Sequence, residues 1–343
     1  MKQNIKTTKS KLAKLSKILL TGTTIFLSPH LLSTQSVQTV KTQTIKTVAI
    51  TQIVPHQSLE EAKQGLLETL KLEGYEPGKN LVLLDENAHG NITTANLIAK
   101  KFVGNKKVDV IVPISTPSAL SVKSAAKGLK IPIVFSSVSD PVGVGLVKSL
   151  ETADQQITGA MDFPAVAELQ SLMKTLSPKM KKIGVLYNSG EDNSVKTVKA
   201  FNEKLAKGFE VIEKTVPNSK LVPEAVLSLI TKVDAIYIPS DNTVFSAMQK
   251  VVQLTRQHKI PTFTNDPDSV KLGVFACYGY SQYAVGQTAG FLVAQILNGA
   301  PVSSLKVRAP AKAEIFVNHK TAKLLDIKVP AEFDKQKILQ VDK

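Results

Sequence analysis

The chain has few residues of the kinds that form disulfides, thiolate metal clusters or tryptophan-lined pockets. Its 343 residues include one cysteine, Cys277, and no tryptophan. A single cysteine excludes an internal disulfide framework and a cysteine metal cluster. Cys277 lies in the apolar run Gly273–Gly279, a context that favours a small buried core residue over a reactive thiol. The five histidines are dispersed without metal-ligand spacing, so we predict no metal site.

Signatures of enzymes and cofactors are also weak. Gly143 and Gly145 are not followed by a third glycine in phase, so no dinucleotide fingerprint is present. Ser124 and Lys127, with Ser240–Asn242, match two of the three motifs of serine β-lactamases. The third motif, Lys-Thr-Gly, does not follow, and Ser124 falls within a predicted helix. We therefore predict no catalytic residues and no cofactor.

The first 36 residues differ from the rest of the chain. They contain six lysines and no acidic residue, and the lysines are followed by an apolar run from Ile18 to Leu32. This pattern predicts a secretory signal peptide over residues 1–36 and a polar spacer over residues 37–45. A retained membrane anchor is the alternative, although the apolar run is short for a span. Because no cysteine lies near the end of this leader, we predict a free periplasmic protein and not a lipoprotein.

The positive charge of the chain is scattered. The six lysines of the leader account for six charges of the formal +15 and leave +9 for the remainder. These form pairs such as Lys100–Lys101, without the clustered arginines or interleaved aromatic residues of a nucleic-acid surface. We therefore predict no nucleic-acid partner.

One pattern of strand, polar turn, helix and strand occurs twice, over residues 108–140 and 233–267. Continuous apolar strands alternate with helices elsewhere in the chain, which is typical of parallel sheets covered on both faces. The sequence therefore predicts an α/β fold of two doubly wound, Rossmann-like parallel-sheet lobes joined by a hinge.

The predicted lobes are discontinuous in sequence. Lobe 1 takes residues 46–160 and 273–306, and lobe 2 takes residues 161–272 and 307–343. Since parallel sheets bind ligands at the carboxyl ends of their strands, two facing edges of this kind predict a cleft.

The polar turns of the two repeats offer different chemistry. Ser115 and Thr116 precede a proline that favours a helix start, so their hydroxyls and nearby backbone N–H groups suit a carboxylate or phosphate. Simple helix capping is the alternative. Asp241 and Asn242 occupy the equivalent turn and offer a negative charge and an amide. This asymmetry favours a ligand with two unlike ends.

Two further pairs of turns lie at equivalent places. Asp140 and Asp266 each precede a proline at a strand end, where a structural turn is the simpler interpretation of either residue alone. The turn that follows the first strand of each lobe contains His56 in one case and residues 188–194 in the other.

Short motifs in a fixed order resemble ABC transporter substrate-binding proteins of the type I periplasmic-binding fold, in the branch linked to tryptophan or tyrosine uptake. The resemblance covers about residues 46–328. The motifs that carry it are Gln52–His56, Ser115–Pro117, Val138–Val147, Gly184–Asn188, Glu191–Ser194, Val233–Thr243 and Tyr283–Gly290.

The resemblance implies a receptor that closes on an amino acid and presents it to a permease in the inner membrane. Ser115 and Thr116 would bind the carboxylate with help from Asn193 or Ser194, and Asp241 and Asn242, with Asp266, would take the ammonium. His56, Phe163 and Tyr187 are candidates for the side-chain pocket. The complete candidate set is His56, Ser115, Thr116, Asp140, Phe163, Tyr187, Asn188, Asn193, Ser194, Asp241, Asn242 and Asp266.

We therefore predict a monomeric solute-binding receptor of an ABC importer, not an enzyme. Two alternatives stay open. One is a doubly wound enzyme that acts on a small acid, and the other is a sensory receptor that works without a permease.

Overall fold

The computed structural model describes residues 44–333. The predicted signal peptide and nearly all of the predicted spacer lie outside the described residues. None of the helices within residues 44–333 is long and apolar enough to cross a membrane.

The first lobe is built on a five-stranded, wholly parallel sheet in the order β2-β1-β3-β4-β5. β3 and β5 are buried along their whole length, as expected for strands covered on both faces. The strands are β1 (Lys46–Gln52), β2 (Leu81–Asn87), β3 (Val110–Ile114), β4 (Ile133–Val138) and β5 (Ile157–Met161).

The second lobe repeats this order in a six-stranded sheet, β7-β6-β8-β9-β10-β11. Its strands are parallel except β11, which pairs antiparallel with β10 at the edge. The strands are β6 (Lys182–Tyr187), β7 (Glu210–Thr215), β8 (Ala235–Ile238), β9 (Thr262–Thr264), β10 (Ala276–Gly279) and β11 (Glu314–Val317). The matching orders confirm the predicted two-lobed α/β fold.

Helices connect the strands on both faces of the sheets. The helices that pack in the first lobe are α1 (Gln57–Leu72), α2 (Ile92–Gly104), α3 (Thr116–Ala125) and α10 (Gln282–Leu297). Those of the second lobe are α4 (Val166–Leu176), α5 (Asp192–Glu203), α6 (Val222–Ile230), α7 (Asn242–Phe245), α8 (Met248–Gln257), α9 (Pro267–Leu272) and α11 (His319–Leu324).

The strand register places the turns of the site next to one another. β1 and β3 run in parallel with Gln52 level with Ile114, so the turns that follow these two strands emerge together. β6 and β8 are aligned in the same way, with Val185 level with Tyr237. In each sheet the first and third strands are therefore neighbours, and a crevice forms where the strand order reverses.

The chain crosses between the two sheets three times. It passes from β5 to α4, from β10 to α10, and again before β11, where Arg308 bridges back to Ala160. The predicted lobe limits assigned residues 273–306 to the first lobe. In the structure β10 pairs within the second sheet, while Val285, Ala289 and other residues of α10 belong to the core of the first lobe. The crossing therefore falls between residues 279 and 282, after the strand instead of before it. The other limits stay predictions.

Glycines bring α1 and α10 into close backbone contact. A Cβ atom at Gly286 would lie 1.9 Å from the carbonyl oxygen of Ala62, and one at Gly65 would lie 2.1 Å from that of Tyr283. α10 starts at the hinge and packs on the first lobe through this contact, so the glycines fix where its first residues point.

The sole cysteine lies in the core of the second lobe. Cys277 is fully buried on β10, and burial raises the pKa of its thiol. The prediction of a small core residue is confirmed.

Candidate functional site

A cavity lies between the carboxyl-end edges of the two sheets. Its empty space is about 330 Å³, including the part that opens to solvent. Both lobes and the hinge contribute to its lining, which consists of His56, Ser58, Leu59, Thr116, Ser137, Ser139, Asp162, Asn193, Ser240, Asn242, Phe245, Asp266 and Gln282.

The N-terminus of α3 reaches the cavity through Thr116. Ser115, just before it, has φ 87° and ψ 158°, a conformation that costs a non-glycine residue about 1–3 kcal/mol. The side chain of Ser115, at the N-cap position, makes no capping hydrogen bond to the first turn of the helix. The hydroxyls of Ser115 and Ser118 are buried and have no hydrogen-bond partner among residues 44–333. This helix end therefore offers unused donors, the arrangement that binds anions.

The hinge side of the cavity holds a buried carboxyl group. Gln282, the first residue of α10, donates 2.7 Å to Asp162 Oδ2 and accepts 2.7 Å from the Ser137 hydroxyl. Asp162 Oδ1 is buried without a partner in the described part of the chain. Burial raises the pKa of Asp162 to about 6, against the hydrogen bond from Gln282, which lowers it.

A second buried carboxyl group lies on the lobe 2 edge. Asp266 caps α9: its Oδ2 accepts 2.7 Å from the Ser269 N–H and 2.5 Å from the Ser269 hydroxyl. The same oxygen accepts 2.9 Å from Ser58 of the other lobe. Oδ1 is buried and unpartnered within the described residues. Burial raises the pKa of Asp266, and the charge of Asp162, which lines the same cavity, raises it further.

The remaining wall combines apolar and polar surface. The ring of His56 meets that of Phe245 edge to face, with 5.6 Å between centroids and 88° between planes. Its Nε2 lies 3.2 Å from Asn242 Oδ1. Burial lowers the pKa of His56 to about 4, so the imidazole is neutral at physiological pH. Asn193 donates 2.6 Å to the Ser240 carbonyl, which leaves its own Oδ1 buried and unpartnered.

The structure brings five of the predicted site residues into the cavity lining, and they come from five different turns. These are His56, Thr116, Asn193, Asn242 and Asp266. Ser115 is adjacent to them and shapes the turn that presents Thr116. Asn193, which was expected to help with a carboxylate, presents an acceptor instead of a donor because its Nδ2 is bonded to the Ser240 carbonyl.

Asp241 and Ser194 are not brought to the cavity. Asp241 Oδ1 accepts 2.8 Å from the Val244 N–H, and Oδ2 accepts 2.7 Å from the Asn188 N–H and 2.6 Å from the Ser194 hydroxyl. Both oxygens therefore have hydrogen-bond partners within lobe 2, where Asp241 connects α7, the turn at Asn188 and the start of α5. Burial and, to a smaller extent, the charge of neighbouring Glu191 raise the pKa of Asp241 to about 7.

The other predicted residues lie away from the cavity. Asn188 bonds to Thr243 and to the Gly190 N–H within its own turn. Asp140 accepts 2.8 Å from the Gly143 N–H, which is the structural turn that its sequence favoured. Tyr187 donates 2.7 Å to Glu213, and burial raises its pKa to about 12. Phe163 is 46% exposed.

Sequence reasoning missed several lining residues for two reasons. Asp162 follows β5, a strand that the apolar pattern did not predict. Gln282 follows the second of the three crossings and reaches the cavity only because α10 packs on the other lobe. Phe245 had a usable signal, since it lies one helical turn after Asn242 and shares its face.

The site can bind but has no evident arrangement for bond breaking. Among residues 44–333, its acceptors without partners are carboxylate, amide and imidazole atoms from both lobes and the hinge, and its unused donors are at the start of α3. No group of histidine, cysteine or acidic residues able to hold a metal ion occurs among residues 44–333.

Comparison with known proteins identifies the family to which the chain is similar. A family model described as ABC transporter substrate binding protein matches residues 47–338. A tyrosine-binding protein of Clostridioides difficile is 39% identical over 281 residues, which are 82% of this chain and 81% of that protein.

Two solved structures are also similar. One is a Streptococcus pneumoniae ABC domain in complex with L-tryptophan, with 30% identity, a TM-score of 0.81 and coverage of 86% of this chain and 99% of that one. The other is a ligand-free, open substrate-binding protein with adhesive properties from Clostridium difficile, with 35% identity, a TM-score of 0.64 and coverage of 87% and 100%. With its type I periplasmic-binding fold, its interlobe cavity and these matches, the chain belongs to the family of ABC transporter substrate-binding proteins.

Proposed function

We propose that this protein captures an amino acid as a zwitterion between its lobes and delivers it to the permease of an ABC importer. One observation carries the proposal. The cavity has two buried carboxylate oxygens that have no partner among residues 44–333, and a helix N-terminus with unused donors also reaches it.

The ammonium group is assigned to Asp162 and Asp266. Each carboxyl group has one oxygen held by the protein and one, Oδ1, left without a partner in the described residues. An ammonium group has N–H donors for both free oxygens, and its positive charge offsets the repulsion between two neighbouring carboxylates.

The carboxylate group is assigned to the start of α3. Thr116 lines the cavity there, and the helix end offers backbone N–H groups and the positive end of its dipole. The strained conformation of Ser115 supports this assignment, because such strain persists at sites where it orients a ligand contact.

The side chain of the ligand is assigned to the wall formed by Leu59, Phe245 and His56, where the cavity is most apolar. The relatives named for tyrosine binding and solved with L-tryptophan support an aromatic amino acid.

The transport role adds an exported location and a permease partner. The lysine-rich leader of the sequence supports secretion into the periplasm as a free protein. The receptor works as a monomer. A permease and an ATPase encoded beside it would favour transport over a sensory role.

Titration calorimetry of the mature chain with a panel of amino acids tests the proposal. We expect a single site, with binding to Asp162→Asn and Asp266→Asn weakened by about 1.5–3 kcal/mol each, since each change removes a charged hydrogen-bond partner of the ammonium. Asp140→Asn is the matched control, because Asp140 ends the equivalent strand of lobe 1 outside the cavity.

Lack of binding to every amino acid, or equal losses in the Asp140 variant, would reject the assignment. The enzyme alternative is tested on the same sample. A receptor returns the bound compound unchanged, as measured by mass spectrometry after incubation and release.

A further inference from the structure

A chain of hydrogen bonds across the cleft fixes which atoms of His56 are donors and acceptors. It starts at Glu191, whose carboxylate accepts 3.0 Å from the Asn242 N–H, 2.8 Å from the Thr243 N–H and 2.7 Å from the Thr243 hydroxyl. With these donors around it, Glu191 acts as an acceptor only. The atom of the Asn242 amide that lies 2.6 Å from Glu191 Oε2 is therefore Nδ2.

The orientation of Asn242 then sets the tautomer of His56. With Nδ2 on Glu191, the amide oxygen Oδ1 faces His56 Nε2 at 3.2 Å. A carbonyl oxygen can only accept, so Nε2 must carry the hydrogen of the neutral ring. The other ring nitrogen, Nδ1, therefore has a lone pair and acts as an acceptor.

This acceptor has no partner in the described part of the chain. His56 Nδ1 is shielded from solvent and makes no hydrogen bond to any residue from 44 to 333. Burial lowers the pKa of His56 to about 4, so the lone pair is not lost to a proton at neutral pH. Leu59 and the edge-on ring of Phe245 lie on the same apolar wall.

We infer that His56 Nδ1 is a specificity-determining acceptor for a hydrogen-bond donor on the side chain of the ligand, with Asn242 and Glu191 as positioning residues. This inference rests on the proposed function and adds a selectivity to it. A phenolic O–H or an indole N–H satisfies Nδ1, whereas a phenyl or aliphatic side chain leaves it buried and unpaired. A site of this kind rejects the analogue that lacks the donor more strongly than its size alone would.

Titration calorimetry with tyrosine, tryptophan, phenylalanine and leucine tests the selectivity. We expect the wild-type protein to bind tyrosine or tryptophan roughly ten- to hundredfold more tightly than phenylalanine, the loss expected for one buried unpaired acceptor. In His56→Phe, which keeps a ring but removes the acceptor, this ratio should fall to within about threefold, mainly because phenylalanine gains affinity.

Nitrogen NMR of the wild-type protein, labelled with ¹⁵N-histidine, tests the tautomer without any substitution. We expect Nε2 of His56 to show a protonated-nitrogen shift and Nδ1 a lone-pair shift, with Nδ1 moving on addition of tyrosine. Asn242→Leu should mix the two tautomers and reduce the selectivity, which a purely structural role of Asn242 would not do.

Each outcome separates this inference from the proposed function. Equal wild-type affinity for tyrosine and phenylalanine, or a protonated Nδ1, overturns the inference and leaves amino-acid capture standing. Binding of no amino acid overturns both. A tenfold or greater preference that disappears in His56→Phe supports both.

Discussion

Asp241 and Asp266 cap short helices of the same lobe but differ in what remains free on each carboxyl group. Asp241 uses both oxygens on Val244, Asn188 and Ser194, so replacing it would loosen the lobe. Asp266 uses only Oδ2 and keeps Oδ1 unpartnered among the described residues. A buried carboxylate oxygen without a hydrogen bond destabilises the folded protein. Such an oxygen is expected where a ligand supplies the missing hydrogen bond.

Asp162 gives a pH dependence to stability. Its pKa is raised from 3.8 to about 6 in the folded protein, mainly by burial. Between these two values the folded protein holds the proton more tightly than the unfolded chain does. The contribution of this group to the free energy of unfolding is therefore full below about pH 4 and decreases as the pH rises to about 6.

Ligand binding should reverse this dependence. An ammonium group beside Asp162 favours the ionised carboxylate, so affinity should rise with pH through about 6 and binding below that pH should release a proton. Thermal unfolding and calorimetry from pH 4.5 to 7.5, with and without the amino acid, measure both effects. Asp162→Asn should remove the pH-dependent difference, and an unchanged profile in that variant would assign it to other groups.

At the scale of the helix, the contact between α1 and α10 decides where the hinge residues point. Gln282 reaches Asp162 and Ser137 only because glycines let the backbones of α10 and α1 come into contact. Interiors at native packing density leave no room for an added methyl group at such a contact. The helix pair is thus a structural requirement of the site as well as of the lobe.

Gly286→Ala should lower the free energy of unfolding by about 1–3 kcal/mol, because its Cβ would lie 1.9 Å from the Ala62 carbonyl oxygen and force the helices apart. Gly104→Ala is the matched control. Gly104 ends α2 with open space around its Cβ position, so that change should be neutral or stabilise by up to about 1 kcal/mol. Urea unfolding measures both variants, and equal stabilities would contradict the packing argument.

At the scale of the whole molecule, a few polar contacts hold the lobes together across the cleft. These are His56 with Asn242 at 3.2 Å, Ser58 with Asp266 at 2.9 Å, and Glu61 with Lys271 at 3.1 Å. Two of the three involve residues that line the cavity. Closure and ligand binding therefore involve the same residues, so each should favour the other.

Glu61→Gln should shift the lobes toward an open form, since it removes the ion pair to Lys271 while Lys271 keeps its 2.7 Å partner Asp268. A partly exposed pair of this kind contributes about 0.5–1 kcal/mol, so affinity should fall by two- to fivefold and the radius of gyration of the ligand-free protein should increase. Calorimetry and small-angle X-ray scattering measure these quantities.

Glu76→Gln is the control for this experiment, because Glu76 pairs with Lys79 within lobe 1. Equal scattering and affinity for the two variants would show that the interlobe ion pair does not affect closure.

Much of the fold could be predicted from the sequence because its signals are local. Continuous apolar strands such as Val110–Ile114, and the polar turns that follow them, depend on neighbouring residues and predicted the two parallel sheets. β5 escaped prediction because its five buried residues include Thr158 and Gly159, which weaken the apolar pattern. The lobe limit near β10 was predicted at the wrong place because the local sequence does not show which distant strand β10 pairs with.

What the sequence determined by itself is the duplicated architecture and which turns carry polar chemistry, since periodicity and turn residues act over a few positions. Only the tertiary structure decided which of those polar atoms are free. Asp241 and Asp266 have the same local context, yet partners such as Asn188 and Ser194 fill both oxygens of one, while Ser58 reaches a single oxygen of the other. Hydrogen bonds between distant segments consume donors and acceptors, and the atoms that they leave over, above all Oδ1 of Asp162 and Asp266, define the site.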